Sequence, residues 1–186
     1  REYVYDGEKQ VSMLEFPEIA EHSIIIDSES KRYSMCGVRI GCLVTRSKTL
    51  HDAAMKFAQA RLSPVLIGQI LATAAHDNDA EYIQSVREEY TKRRNLLVEL
   101  LNEIPGVKCP IPKGAFYCVA ELPVEDADDF AQWLLEHFSD NGETVMVAPA
   151  SGFYSVPELG KKQVRIAYVL KEEDLRRSVE LIKIAL

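Results

Sequence analysis

A short apolar run, Ser23-Ile24-Ile25-Ile26-Asp27, leads directly into Ser28-Glu29-Ser30-Lys31, and Gly37-Val38-Arg39-Ile40-Gly41 follows. Three consecutive β-branched residues between polar turn formers predict a buried strand over 23–27. The stretch 39–45, Arg-Ile-Gly-Cys-Leu-Val-Thr, predicts a second. A loop carrying one lysine between two serines therefore joins two strands. Open α/β sheets present ligands at the carboxyl ends of their strands, and Lys31 sits just past such an end.

The remainder continues the mixed pattern. Residues 1–22 carry turn signals at Asp6-Gly7 and Pro17. Residues 49–75 read as helix broken at Pro64, with Ser63 positioned to cap the second segment. Residues 79–104 read as one long helix, with Ile83, Val86, Tyr90, Leu97, Leu100, Leu101 and Ile104 near helical spacing, stopped by Pro105-Gly106. Strands are predicted at 107–111 and 115–122 around the turn Pro112-Lys113-Gly114, and again at 144–148 and 163–169. Asp126 is placed to cap a helix through Phe138, with Phe130, Trp133, Leu134 and His137 on one face. Residues 172–184 form a closing amphipathic helix through Leu175, Val179 and Ile182. The sequence shows no internal repeat. The predicted fold is α/β, with the end of a larger α/β domain over 1–75 and a small α+β domain over 76–186, joined by the long helix.

Composition narrows the function classes. The net charge of −7, from 22 basic and 29 acidic residues, argues against a nucleic-acid or anionic-membrane binder. The densest basic patch, Lys92-Arg93-Arg94, follows Glu88 and Glu89 at i,i+4 spacing and reads as a solvated helix face. The four cysteines form no C-x-x-C pair and the four histidines are scattered, so neither a zinc site nor a disulfide framework is expected and a reducing cytoplasm fits. No apolar run suffices to span a bilayer and no signal peptide opens the chain. A start at Arg1 rather than methionine fits a fragment or a trimmed product.

The lysine loop carries the chemistry. Ser28 and Ser30 supply hydroxyls and Arg39 a guanidinium, which together suit a phosphate dianion. Gly37 and Gly41 permit tight backbone turns beside it. An amine next to a bound phosphate is what pyridoxal 5'-phosphate requires, because its aldehyde is carried as a Schiff base. A nearby cation such as Arg39 favours the neutral, nucleophilic amine of Lys31. A plain surface loop is the bland alternative, weakened by the strand before the lysine and by Gly-x-Arg-x-Gly after it. A rival pattern is S-x-x-K at 28–31 with Ser139-Asp140-Asn141, the signature of penicillin-binding proteins and β-lactamases. Its K-T-G element is missing, and its serine belongs at the start of a helix rather than after a β-branched run.

Residues 23–45 resemble the lysine segment of the aspartate-aminotransferase-like family, the fold-type I, class I/II enzymes that use pyridoxal phosphate. Pro112-Lys113-Gly114-Ala115-Phe116-Tyr117 resembles the family's Pro-x-Gly-x-Phe-Tyr turn, and 147–154 resembles its active-site edge loop. Val164-Arg165-Ile166-Ala167-Tyr168 is similar to the strand whose arginine grips the substrate α-carboxylate. The resemblance implies that Lys31 is the Schiff-base and proton-transfer residue, that Ser28, Ser30 and Arg39 anchor the phosphate, and that Arg165 clamps the carboxylate. Tyr117 and Tyr154 are expected to pack or line the cleft rim.

The same resemblance implies a ping-pong transaminase acting on an amino acid and a 2-keto acid, homodimeric and cytoplasmic, of which this chain is the C-terminal half. Carbon–sulfur β-elimination with the same apparatus is an alternative, as is a non-catalytic effector-binding domain of a transcription regulator. Glu29 departs from the family's usual apolar or aromatic residue. The Asp-x-x-Tyr pair, the glycine-rich phosphate turn and the stacking aromatic would lie upstream of Arg1, so the chain alone is expected to lack efficient catalysis.

Overall fold

The computed structural model describes residues 2–77 and 79–186, which fall into two units. One comprises Glu2 and Lys9–Ser85, the other Tyr3–Glu8 and Val86–Leu186.

In the first unit β1 (Ile24–Ser28) pairs antiparallel with β2 (Gly41–Thr45), with Ile26 opposite Leu43 and Ser28 opposite Gly41. Between them lies α1 (Glu29–Arg32), a single turn that carries Lys31. The strands form where β-branching predicts them, but the expected burial does not follow: Ile26 is 73% exposed, and Ile24, Leu43 and Val44 are also exposed. A sheet of two strands offers no inner strand with both faces covered.

Helix α2 (Lys48–Arg61) starts at Ser47, whose hydroxyl accepts from the Leu50 N–H at 3.5 Å. Helix α3 (Leu66–His76) resumes after Pro64. Ser63 does not cap it: the N-cap is Val65, without a side-chain bond, and the Ser63 hydroxyl donates to Pro64 O at 3.1 Å. A residue before proline is driven out of the α region, so the break extends beyond the serine.

Helix α4 (Asp79–Asn102) contributes its later turns to the second unit, whose core it anchors with the fully buried Leu97 and Leu101. The sheet has the order β3 (Tyr117–Glu121), β5 (Gln163–Ala167), β4 (Ala148–Pro149), antiparallel throughout. Helices α5 (Ala127–Glu136) and α6 (Glu172–Ala185) complete the core through Leu134, Leu175 and Ile182.

Asp126 caps α5 as predicted, accepting from the Asp128 N–H at 2.9 Å. The face that α5 buries holds Ala127, Phe130, Ala131 and Leu134, while Trp133 and His137 stay exposed. Residues 107–111 reduce to one bridge, Lys108 to Glu121, because Pro110 and Pro112 remove backbone donors. Of the strand expected at 144–148 only Ala148 forms, joined with the following Pro149 as β4 (Ala148–Pro149).

Beyond α4 the chain reverses on Asn102. Its Oδ1 accepts from the Cys109 N–H at 2.9 Å, and its Nδ2 donates to the carbonyls of Val98 and Cys109, each at 2.9 Å. One amide thus ties the last turn of the helix to the segment leading into the sheet. Asn102→Ala is expected to destabilise the second unit by about 1–3 kcal/mol, read as a lower urea midpoint with unchanged slope.

Candidate functional site

The lysine turn is built by its neighbours. Ser28 ends β1 and caps α1: its Oγ accepts from the Ser30 N–H at 3.1 Å and donates to the Ser30 hydroxyl at 2.9 Å. The Glu29 N–H donates to Ile40 O at 3.2 Å, joining the start of the turn to the segment that carries Arg39. Gly41 is required there, since a Cβ would lie 2.7 Å from Asp27 O. Gly37 is not: a Cβ at that position meets nothing within 4 Å. The special backbone beside it belongs to Arg39, at φ +60°, whose Nη1 donates to Cys36 O at 2.8 Å.

Within the turn the side chains divide. Glu29, Arg32 and Tyr33 are buried, and Lys31 is exposed. Arg32 pairs with Asp27 at 2.6 Å and Glu2 at 3.2 Å. Burial works against its charge, and the carboxylates of Glu2, Asp27 and Glu29 outweigh that, so its pKa is raised. Ser28, Ser30 and Lys31 thus share one anchored turn, and Arg39 lies on the strand-side segment bonded to it. Two hydroxyls and an amine share this strand end, and the arginine of the adjoining segment points its Nη1 at Cys36 O; these residue types suit pyridoxal 5'-phosphate, a phosphate dianion bearing an aldehyde.

In the second unit Arg165 lies on β5 opposite Val119, on the sheet face that Tyr117 shares. Its guanidinium carbon is 5.0 Å from the Tyr117 ring centre and 4.8 Å from that of Phe153. It makes no ion pair or hydrogen bond among the described residues. A guanidinium held by ring faces keeps its N–H edges for a carboxylate. Phe153 was not singled out from sequence as an arginine partner, although the Gly152-Phe153-Tyr154 motif contains it. The Tyr154 hydroxyl donates to Gln163 Oε1 at 2.7 Å, a packing role.

The turn that presents Tyr117 is also braced. Ala115, not Gly114, takes the left-handed backbone, at φ +65°. Gly114 is needed for close approach, because a Cβ would stand 3.1 Å from Tyr3 O. Ala115 O accepts from the hydroxyls of Tyr5 at 2.5 Å and Tyr168 at 3.1 Å. Burial raises the pKa of both phenols, keeping them as neutral donors. Arg94, 2% exposed, grips Asp6 with two bonds of 2.7 and 3.0 Å and stacks 4.6 Å above the Tyr5 ring.

Ser139-Asp140-Asn141 is a turn after α5, with Asn141 at φ +51° and Asp140 bound to Arg177 at 2.7 Å. Among the described residues, no group of three or more His, Cys, Asp or Glu is placed to hold a metal ion. No helix there is long and apolar enough to cross a membrane.

The strand–lysine turn–strand and the aromatic-flanked arginine define a mixed α/β chain of the fold-type I class. The family described as "Aminotransferase class I and II" matches residues 2–182, and the chain belongs to it. The aspartate aminotransferase of Bacillus subtilis (strain 168) is 32% identical over 187 residues, covering 96% of this chain and 45% of that protein. Among solved structures, the aromatic aminotransferase from Pyrococcus horikoshii OT3 superposes with a TM-score of 0.85 at 26% identity, over 100% of this chain and 48% of that one. The aspartate aminotransferase from Rhizobium meliloti gives 0.83 at 29% identity, over 99% and 47%. The chain spans about half the length of the curated relatives it matches.

Gly41→Ala pushes a methyl into the Asp27 carbonyl and parts the lysine turn from Ile40. The expected loss is about 1–3 kcal/mol of stability, with faster amide exchange at Glu29 as the local signature.

Proposed function

We propose that the complete polypeptide is a pyridoxal-phosphate-dependent aminotransferase, exchanging an amino group between an amino acid and a 2-keto acid. This chain would supply the reactive lysine, part of the phosphate cradle and the carboxylate clamp. The observation that carries the reading is the turn capped by Ser28, in which Lys31 stands exposed next to Ser30 and the backbone is bonded to the Arg39 segment. When bound, the cofactor supplies an aldehyde and an electron sink for the exchange. Ser28, Ser30 and Arg39 are the residues of this chain that would hold its phosphate, the serines with hydroxyls and the arginine with a charged donor. Lys31 Nζ would be the amine that holds the cofactor's aldehyde, and as a free amine it would serve as the base toward the substrate Cα proton.

Arg165 binds the α-carboxylate through two parallel N–H···O bonds, its plane fixed by Tyr117 and Phe153. The first keto acid leaves before the second enters, so the same clamp serves both halves of a ping-pong cycle. Residues 1–75 belong in this reading to the cofactor domain and 76–186 to the small domain of a cytoplasmic homodimer. The relatives' names make aspartate the first amino acid to test.

Borohydride reduction of the full-length protein with pyridoxal 5'-phosphate, followed by peptide mapping, is expected to leave a pyridoxyl label on Lys31 and none in Lys31→Ala. A label carried elsewhere overturns the assignment. Arg165→Ala is expected to raise the KM for the amino acid about 10–100-fold, the worth of a charged hydrogen-bond pair, while cofactor affinity stays within about twofold. Equal losses in both would make Arg165 structural.

A further inference from the structure

Glu29, two residues before Lys31, is a carboxylate where an apolar side chain would cost nothing to bury. The residue is 7% exposed. Its Oε1 lies 3.1 Å from His76 Nε2, and its Oε2 is buried without a hydrogen-bond partner among the described residues. His76, in the last turn of α3, therefore supplies the only hydrogen bond to that carboxylate among the described residues.

The other ring nitrogen is engaged as well. His76 Nδ1 is 3.2 Å from the Tyr33 hydroxyl, and Tyr33 lies two residues after Lys31. A carboxylate oxygen accepts, so Nε2 carries a hydrogen toward Glu29, while Nδ1 faces the Tyr33 hydroxyl. The Tyr33 ring also meets the imidazole edge-on at 5.4 Å. The backbone closes the circuit, since the Tyr33 N–H donates to Glu29 O at 3.3 Å. Arg32 adds a favourable charge beside Glu29 and is itself held by Asp27 and Glu2.

We infer that His76 is a positioning residue for Lys31, holding through one imidazole the two side chains that bracket the lysine in its single helical turn. A turn of four residues is unstable alone, so its geometry comes from what grips it. Removing the imidazole leaves a buried carboxylate with no hydrogen bond. Glu29 then relieves itself by turning toward solvent, which unwinds the turn and moves Lys31. Glu29 and His76 thereby form one unit, in which the imidazole gives the acid its only hydrogen bond among the described residues and Arg32 adds charge beside it. This inference rests on the proposed reactivity of Lys31.

The test uses the full-length protein, pyridoxal 5'-phosphate, borohydride trapping and peptide mapping, with thermal unfolding recorded in parallel. His76→Leu is expected to lower the label at Lys31 about tenfold or more at temperatures where the protein remains folded. Glu29→Leu/His76→Leu, which removes the stranded charge, is expected to recover it to within about threefold of wild type. His76→Gln, which keeps a donor for Glu29, falls between. If His76→Leu does not fold, Tyr33→Phe carries the comparison, with an expected loss of about threefold. Unchanged labelling with only a lower melting temperature overturns the inference, as does a double variant no better than the single one. A wild-type protein that takes no label at Lys31 instead overturns the proposed function, and this inference with it.

Discussion

The antiparallel register of β1 on β2 governs the lysine site. It sets Ser28 opposite Gly41, and so lays the Arg39–Gly41 segment along the start of the lysine turn. A slip of one residue would turn every side chain of the strand to the other face. The pairing holds because Gly41 offers no Cβ to the Asp27 carbonyl and because the Glu29 N–H finds Ile40 O just past the ladder. Cap, hydroxyls and lysine follow from that alignment.

Each buried charged side chain around this turn is held by a more exposed partner. Glu29 is held by His76, and Arg32 by Asp27 and Glu2. In the second unit Arg94 is held by Asp6. Isolated, each group would resist burial strongly; paired, each acts as a directional tie. Such ties suit a short element better than apolar contacts, which are non-directional and slide. They keep a four-residue turn and a short N-terminal segment in one geometry where no long helix or broad sheet does so.

The second unit treats its arginine differently. Arg165 has no acidic partner among the described residues, and the rings of Tyr117 and Phe153 hold its guanidinium instead. Aromatic faces restrain the plane without consuming the N–H donors. The same strand that buries Val164 in the core carries Arg165 on its other face, so the core fixes the position of Arg165 through the two-residue repeat of the strand.

Local chemistry made much of the fold legible in advance: β-branching at 24–26, the proline break at 64 and the aspartate cap at 126 each act within a few residues. Two errors share a cause. Burial of β1 and the inward face of α5 depend on which surfaces meet, and periodicity does not report that. Likewise, sequence alone put Glu29 out of place and left Tyr33 unassigned. Only folding carried His76, 47 positions along the chain from Glu29, to the lysine turn and gave both residues a common partner. Hydrogen bonds and desolvation act over ångströms in space, whereas sequence patterns record only neighbours along the chain.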